Sequence, residues 1–358
     1  MIKGRGIILY FCLSGLGLFL TSCRTVFLDF EISEHEGYAF KSTERSSCYN
    51  KQGPVCFLDL NRGIVCRCTD KKTFVLTTVD GGREWVRRDT IPGRCVWVDN
   101  DAGTGFTGAF LNSDTYDIYK SDSLCGAFRR YCSIPCRRIQ TQLFASKPRH
   151  FYYGVIRRLA DGSYCTVDRA GVVFYDSLGR YIRMFSLDIP PGSSIAVVDD
   201  GVVVCKNLHH GSELYLVSKE KVARMNRKKV DMITAIVGSR SRLLVGDKDR
   251  GTFNGSIRNG RLFLRRGGAV RRKCDPVWLE ANNGVMYYWG MTHSVLGATS
   301  SLYASGDGGR SWRRIVKHWP MQWPAVLGIY SSYLKPCATP EGVILYTPEG
   351  KVYTVKRK

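Results

Sequence analysis

The segment Leu302-Tyr303-Ala304-Ser305-Gly306-Asp307-Gly308-Gly309-Arg310-Ser311-Trp312 decides the fold expected of this chain. A short apolar run enters a tight turn, and the turn ends on a tryptophan. Asp307 can accept hydrogen bonds from the backbone N–H groups that follow it. Gly308 and Gly309 can take positive φ because they carry no Cβ. Trp312 then starts the returning strand with a large ring to bury. The same design recurs at Leu76–Trp85, through Thr78, Asp80, Gly82 and Trp85. Both stretches fit Ser/Thr-x-Asp-x-Gly-x-x-Trp, and strand-like residues flank both.

Working outward, short β-runs broken by Gly, Asp, Asn and Ser continue from Val26 to Val355. No long amphipathic helix stands out. Lys219–Lys229 reads equally as a short helix or a hairpin edge. No linker rich in Pro, Ser or Gly divides positions 23–358, so they read as one domain. At about 40–50 residues per four-stranded repeat, the chain accommodates six or seven repeats. Tyr119-Lys120-Ser121-Asp122-Ser123 is a degenerate third copy of the turn, without its glycines.

The two turns resemble the Asp-box, the bacterial neuraminidase repeat. The resemblance implies an all-β fold, a six- or seven-bladed β-propeller in which each box joins the third and fourth strands of a blade. Paired β-sandwiches are the alternative. Thr78, Asp80, Gly82 and Trp85, with Ser305, Asp307, Gly309 and Trp312, are implied as structural residues that shape turns. Asp-boxes also raise sialidase chemistry, but the early Arg-Ile-Pro signature of those enzymes is absent. Ile91-Pro92-Gly93-Arg94 has a different order. Gly-x-Ser-x-Gly and His-Glu-x-x-His are absent too. Of the 6 histidines, only His209 and His210 are adjacent. Cys66-x-Cys68 and Cys132-x3-Cys136 lack the paired Cys-x2-Cys spacing of a zinc site. No catalytic residue, cofactor or metal is expected.

The N-terminus has Lys3 and Arg5, an apolar run from Ile7 to Leu20, then Thr21-Ser22-Cys23. This pattern is that of a secretory signal over residues 1–22. The run is short beside the roughly 20 residues of a membrane span. It resembles a bacterial lipobox, which implies cleavage before Cys23 and lipid on that cysteine. The chain is then expected on the periplasmic side of the envelope. Arg24 follows, where aspartate would resemble an inner-membrane retention signal, so the outer membrane is favoured. Of the 14 cysteines, Cys12 leaves with the signal and Cys23 takes the lipid. The even remainder in an oxidising compartment predicts disulfides, heaviest between Cys48 and Cys136, with their connectivity open. Cys66 and Cys68 would share one face of a strand and need partners on neighbouring elements.

The formal net charge is +22 over 358 residues, with seven Arg-Arg pairs along the chain. Such a field favours an acidic partner, and export argues against nucleic acid. Trp319 and Trp323 each precede a proline, which holds them extended on a stiff loop. With Arg313 and Arg314 they form a candidate partner-binding patch. Over Phe27–Trp85, Glu36-Gly37-Tyr38 and Arg62-Gly63-Ile64-Val65 resemble immunity lipoproteins paired with type VI secretion phospholipase effectors. That resemblance implies a non-catalytic protein that neutralises a secreted lipase. A glycosidase acting on surface glycans and an envelope assembly scaffold are the other readings.

Overall fold

The computed structural model describes residues 30–36, 52–69, 71–101, 105–124, 126–136, 138–140, 151–153, 155–190, 193–199, 201–208, 211–225, 233–247, 251–259, 261–266, 275–294, 297–317, 336–346 and 351–358. The first strand among the described residues is β1 (Phe30–Glu36), which is used last in the architecture. Blade I is β2 (Gln52–Phe57), β3 (Gly63–Cys68), β4 (Lys72–Thr78) and β5 (Val86–Pro92). Blade II is β6 (Arg94–Asp101), β7 (Gly105–Asn112), β8 (Thr115–Ser121) and β9 (Arg129–Pro135). A separate hairpin follows, β10 (Arg138–Gln140) with β11 (Phe151–Tyr153). Blade III is β12 (Val155–Arg158), β13 (Tyr164–Asp168), β14 (Gly171–Tyr175) and β15 (Tyr181–Ser186). Blade IV is β16 (Ser194–Val198), β17 (Gly201–Leu208), β18 (Gly211–Val217) and β19 (Val222–Arg224). Blade V is β20 (Ile233–Ser239), β21 (Arg242–Asp247), β22 (Gly251–Arg258) and β23 (Arg261–Arg266). Blade VI is β24 (Asp275–Asn282), β25 (Val285–Ser294), β26 (Gly297–Ser305) and β27 (Arg313–Lys317). Blade VII takes β28 (Cys337–Thr339), β29 (Gly342–Tyr346) and β30 (Lys351–Arg357) from the C-terminus and β1 from the N-terminus.

Within each blade the strands pair antiparallel in sequence order, and in blade VII the order is β1-β30-β29-β28. First strands of successive blades approach one another, as β2 does β6, β16 does β20 and β20 does β24. They therefore form the inner ring, and the fourth strands form the rim. The molecule is a seven-bladed β-propeller, and the paired-sandwich alternative is set aside.

Burial explains the sequence pattern. Each sheet is covered on both faces by its neighbours, so central strands lose the in–out alternation of a one-sided sheet. All of β14 (GVVFY) and β29 (GVILY) is buried. At the rim the neighbours splay apart, and β5 and β9 expose most of their residues. Seven apolar clusters fill the molecule, one at each blade interface. Val198 and Leu216 meet Ile236 and Leu243 between blades IV and V, for example. The ring closes where β1 pairs with β30 from Phe30↔Arg357 to Glu36↔Lys351. Glu31 stands opposite Lys356 there, an opposite-charge pair that favours this register.

Two expectations are resolved by the strands. The described part of Lys219–Lys229 is a hairpin edge, because Val222–Arg224 pairs with β18. Cys66 and Cys68 do share a face, both in the apolar cluster between blades I and II. One is corrected. No disulfide joins the described cysteines. All but the half-buried Cys132 are buried, spread over several interfaces, such as Cys165 between blades III and IV and Cys205 between IV and V. Cys12, Cys23, Cys48, Cys125 and Cys274 lie outside the described residues. Among the described residues no helix is long and apolar enough to cross a membrane.

Candidate interaction surface

The two tryptophan-ended turns occupy the same place in their blades. Thr78 ends β4 and Trp85 precedes β5, while Ser305 ends β26 and Trp312 precedes β27. Each therefore joins a third strand to a fourth. In blade VI, Ser305 Oγ donates to Asp307 Oδ1 at 2.7 Å and accepts from the Gly309 N–H at 2.8 Å. Asp307 gathers the backbone N–H groups of Arg310 and Ser311 at 2.9 and 3.0 Å, and the Ser311 hydroxyl at 2.6 Å. In blade I, Thr78 Oγ1 donates to Asp80 Oδ1 at 2.7 Å and accepts from the Gly82 N–H at 2.9 Å. The Glu84 N–H reaches Asp80 at 3.0 Å. Gly308 and Gly309 have φ of 70° and 84°, and Gly81 and Gly82 of 75° and 91°, so each turn uses its glycine pair. Burial would raise both carboxyls, but these hydrogen bonds outweigh it and hold Asp80 and Asp307 below the ordinary carboxylate range.

The degenerate copy has kept the position and lost the chemistry. Ser121 ends β8, its hydroxyl donates toward the Ser123 and Gly126 carbonyls, and Phe128 sits at the tryptophan's spacing, buried as Trp312 is. Among the described residues no cluster of three or more His, Cys, Asp or Glu side chains is set to hold a metal.

The rim is where the charge collects. The outer strand of each of blades I to VI exposes arginine: Arg87 on β5, Arg129 on β9, Arg183 on β15, Arg224 on β19, Arg261 on β23 and Arg313 on β27. Four of the seven Arg-Arg pairs fall on these strands. Some are engaged locally. Arg130 pairs with buried Asp117 at 2.8 Å, Arg224 with Glu213 at 3.0 Å, and the Arg87 guanidinium lies 4.3 Å from the centre of the Phe74 ring. The Arg129 and Arg314 side chains make no hydrogen bond or ion pair among the described residues and are exposed. The rim of blade VII differs, since β1 brings Glu31 and no Lys or Arg. Charge on outer edge strands blocks edge-to-edge pairing with other sheets. It also gives the rims of blades I to VI a positive field.

Of the partner-binding residues expected from sequence, Arg313 and Arg314 are exposed at the start of β27. Trp319 and Trp323 lie outside the described residues, as does Cys23. The remaining rim arginines share no local period that groups them in the sequence, although Arg-Arg pairs recur just after the turns into β5, β9 and β27.

No family model matches the chain, and no curated protein matches its sequence. Solved structures do resemble it. The RRP9 WD40 repeats superpose with a TM-score of 0.54 at 9% identity, covering 92% of this chain and 100% of that one. U3-55K gives 0.52 at 9% identity, over 91% and 98%. YCF48 bound to D1 peptide gives 0.49 at 14% identity, over 91% and 95%. At such identities the likeness shows the propeller fold and nothing finer.

Proposed function

We propose that this chain is a non-catalytic binding propeller whose partner is an acidic protein. The observation that carries the reading is the arginine on the outer strand of six successive blades. A rigid ring with a basic rim is built for recognition: charge speeds encounter, and aromatic anchors slow release. In the finer form of the proposal, lipid on Cys23 holds the propeller on the periplasmic side of the outer membrane. Its partner there is a secreted phospholipase effector, which it neutralises. The lipobox-like Thr21-Ser22-Cys23 and the immunity-lipoprotein resemblance of Phe27–Trp85 support that form.

The test is co-purification of the exported protein with the effector encoded beside it, and protection of cells against that effector. Binding should weaken as salt rises, because exposed charges beyond about 8–10 Å are screened near physiological ionic strength. Arg313→Glu with Arg314→Glu should slow association while leaving the melting temperature unchanged. A stably folded protein that neither binds nor protects would end the immunity form. Salt-insensitive binding would remove the rim from it.

A further inference from the structure

The rim of three adjacent blades is apolar as well as basic. The turns into β15, β19 and β23, with those strands, expose six large hydrophobic side chains. They are Leu178, Tyr181 and Ile182 on blade III, Val222 on blade IV, and Phe263 and Leu264 on blade V. Tyr181 is 64% exposed, Phe263 55% and Leu178 50%. Single exposed apolar residues are ordinary, but a run of them across neighbouring blades marks a contact site. Local structure holds them outward. In blade III, Asp176 accepts from the Leu178 and Arg180 N–H groups at 2.9 and 2.8 Å, which fixes the turn that carries Leu178. Arg183 of β15 donates to the Glu220 carbonyl at 3.1 Å and so ties the edge of blade III to the turn of blade IV. In blade V, Leu262 packs into the cluster between blades IV and V, and Leu264 continues that side of β23 to the surface.

The charge around these side chains has one sign. Segments 176–186, 218–224 and 258–266 hold nine Lys or Arg and two carboxylates, Asp176 and Glu220. Asp176 is already paired with Arg180 at 2.6 Å. A second copy of this chain would set like charge against like. The edge also shares a face of the ring with the entry of β1. Lys219, in the turn into β19, pairs with Asp161 in the turn between β12 and β13. Arg357, opposite Phe30 in the β1–β30 pairing, donates to the Asn283 carbonyl at 3.4 Å, in the turn between β24 and β25. Turns into outer strands, first-to-second turns and Phe30 therefore lie on one face. Cys23, with lipid proposed on it, precedes Phe30 by seven positions, so at about 3.3–3.6 Å per residue its tether is short.

We propose that the outer edge of blades III to V docks on an anionic lipid surface, as a membrane contact separate from the lipid on Cys23. The proposal rests on the envelope location given above. Apolar side chains interleaved with Lys and Arg suit the bilayer boundary. The apolar groups enter between headgroups and acyl chains, and the cations stay with the phosphates. Tyr181 matches that boundary with an apolar ring and a polar hydroxyl. Arginine and lysine extend their apolar stems along the same surface while their charges remain in water. Docked this way, the propeller leaves the rims of blades I, II and VI, with Arg313 and Arg314, to a protein partner.

The experiment uses the chain from position 23 with Cys23→Ser, which keeps every described strand and takes no lipid. It is floated with vesicles of about one part phosphatidylglycerol to three of phosphatidylcholine, and with phosphatidylcholine alone. Binding to the anionic vesicles is expected, at least about tenfold tighter than to the neutral ones and weaker as salt rises. Tyr181→Ser with Phe263→Ser should weaken it at least about fivefold with no change of charge. Leu178→Ser with Val222→Ser takes their place if that pair does not fold by circular dichroism. Lys221→Glu with Arg261→Glu should weaken binding more than Arg87→Glu with Arg129→Glu, which removes the same charge from blades I and II. A parent chain that stays in solution beside anionic vesicles would overturn the proposal. If that chain instead retains polyglutamate, the edge belongs to an acidic protein. Equal losses from the two charge pairs, or no loss from the apolar pair, would overturn it too. Fatty-acid labelling of the native chain reads lipid on Cys23 separately, so failure of the anchor and failure of this edge are told apart.

Discussion

Blades I and VI carry the same turn, yet they use its tryptophan differently. Trp312 is buried, stands edge-on to Tyr288 at 4.8 Å, and donates its indole N–H to Asn254 Oδ1 of blade V at 2.9 Å. The Asn254 amide in turn donates to the Gly309 carbonyl of the same turn. Trp85 is only half-buried and packs in an apolar cluster, edge-on to Phe57 of its own blade at 6.1 Å and Tyr346 of blade VII at 5.2 Å. Its buried indole nitrogen has no hydrogen-bond partner among the described residues. The local motif sets the turn in both cases. The preceding blade decides whether the tryptophan is tied polar-to-polar or simply packed. The looser tie lies at the ring-closing interface between blades VII and I.

The difference can be broken most sharply by truncation. Trp312→Ala should cost about 3–5 kcal/mol, the usual range for a buried large aromatic. Trp85→Ala should cost less, because part of its ring already meets water. Urea unfolding of both variants measures the gap, and equal losses would erase the distinction.

A second pair of substitutions isolates the indole N–H. Asn254→Leu leaves the Trp312 nitrogen without its acceptor and should destabilise by about 1–3 kcal/mol. Trp85→Phe removes a nitrogen that has no partner to lose, so its cost should stay below that of Trp312→Phe. Thermal melts of the three variants order them.

Within the turns, the buried hydroxyl should matter more than the carboxylate. Ser305→Ala strands the Gly309 N–H in a buried place, at about 1–3 kcal/mol. Asp307→Ala exposes its N–H donors to water at the rim and should cost less. Thr78→Ala should behave like Ser305→Ala. A larger loss at Asp307 would mean that the carboxylate holds the turn in spite of its exposure.

The smallest effect is on pH dependence. Asp80 and Asp307 are held below the ordinary carboxylate value, so they stabilise the fold above about pH 4. That contribution is lost as pH falls through their folded pKa values. Asp307 gathers more donors than Asp80, so Asp307→Asn should flatten the acid limb of melting temperature against pH more than Asp80→Asn does.

Much of the fold was legible because it is local. The Thr78–Trp85 and Ser305–Trp312 spacings specify a glycine-pair turn between two strands, and short β-runs between turn residues specify antiparallel hairpins. The degenerate copy at Ser121 was legible by position, and its Phe128 only afterwards. Of the residues expected to bind a partner, Trp319 and Trp323 lie outside the described residues. Arg313 and Arg314 proved exposed, but the belt to which they belong needed the blades to be counted, since residues on different blades share no local period.

The sequence by itself determined an all-β chain of repeated hairpins, its strong positive charge, and the turn chemistry at Asp80 and Asp307. These follow from backbone sterics, short-range hydrogen bonds and composition, which act between near neighbours. Only the tertiary structure decided that there are seven blades and that β1 completes the last one. It also placed Asn254 against Trp312 and arginine on the outer strand of blade after blade. Those pairings join residues far apart in the chain, and they come from closing a ring whose sheets bury both faces against their neighbours.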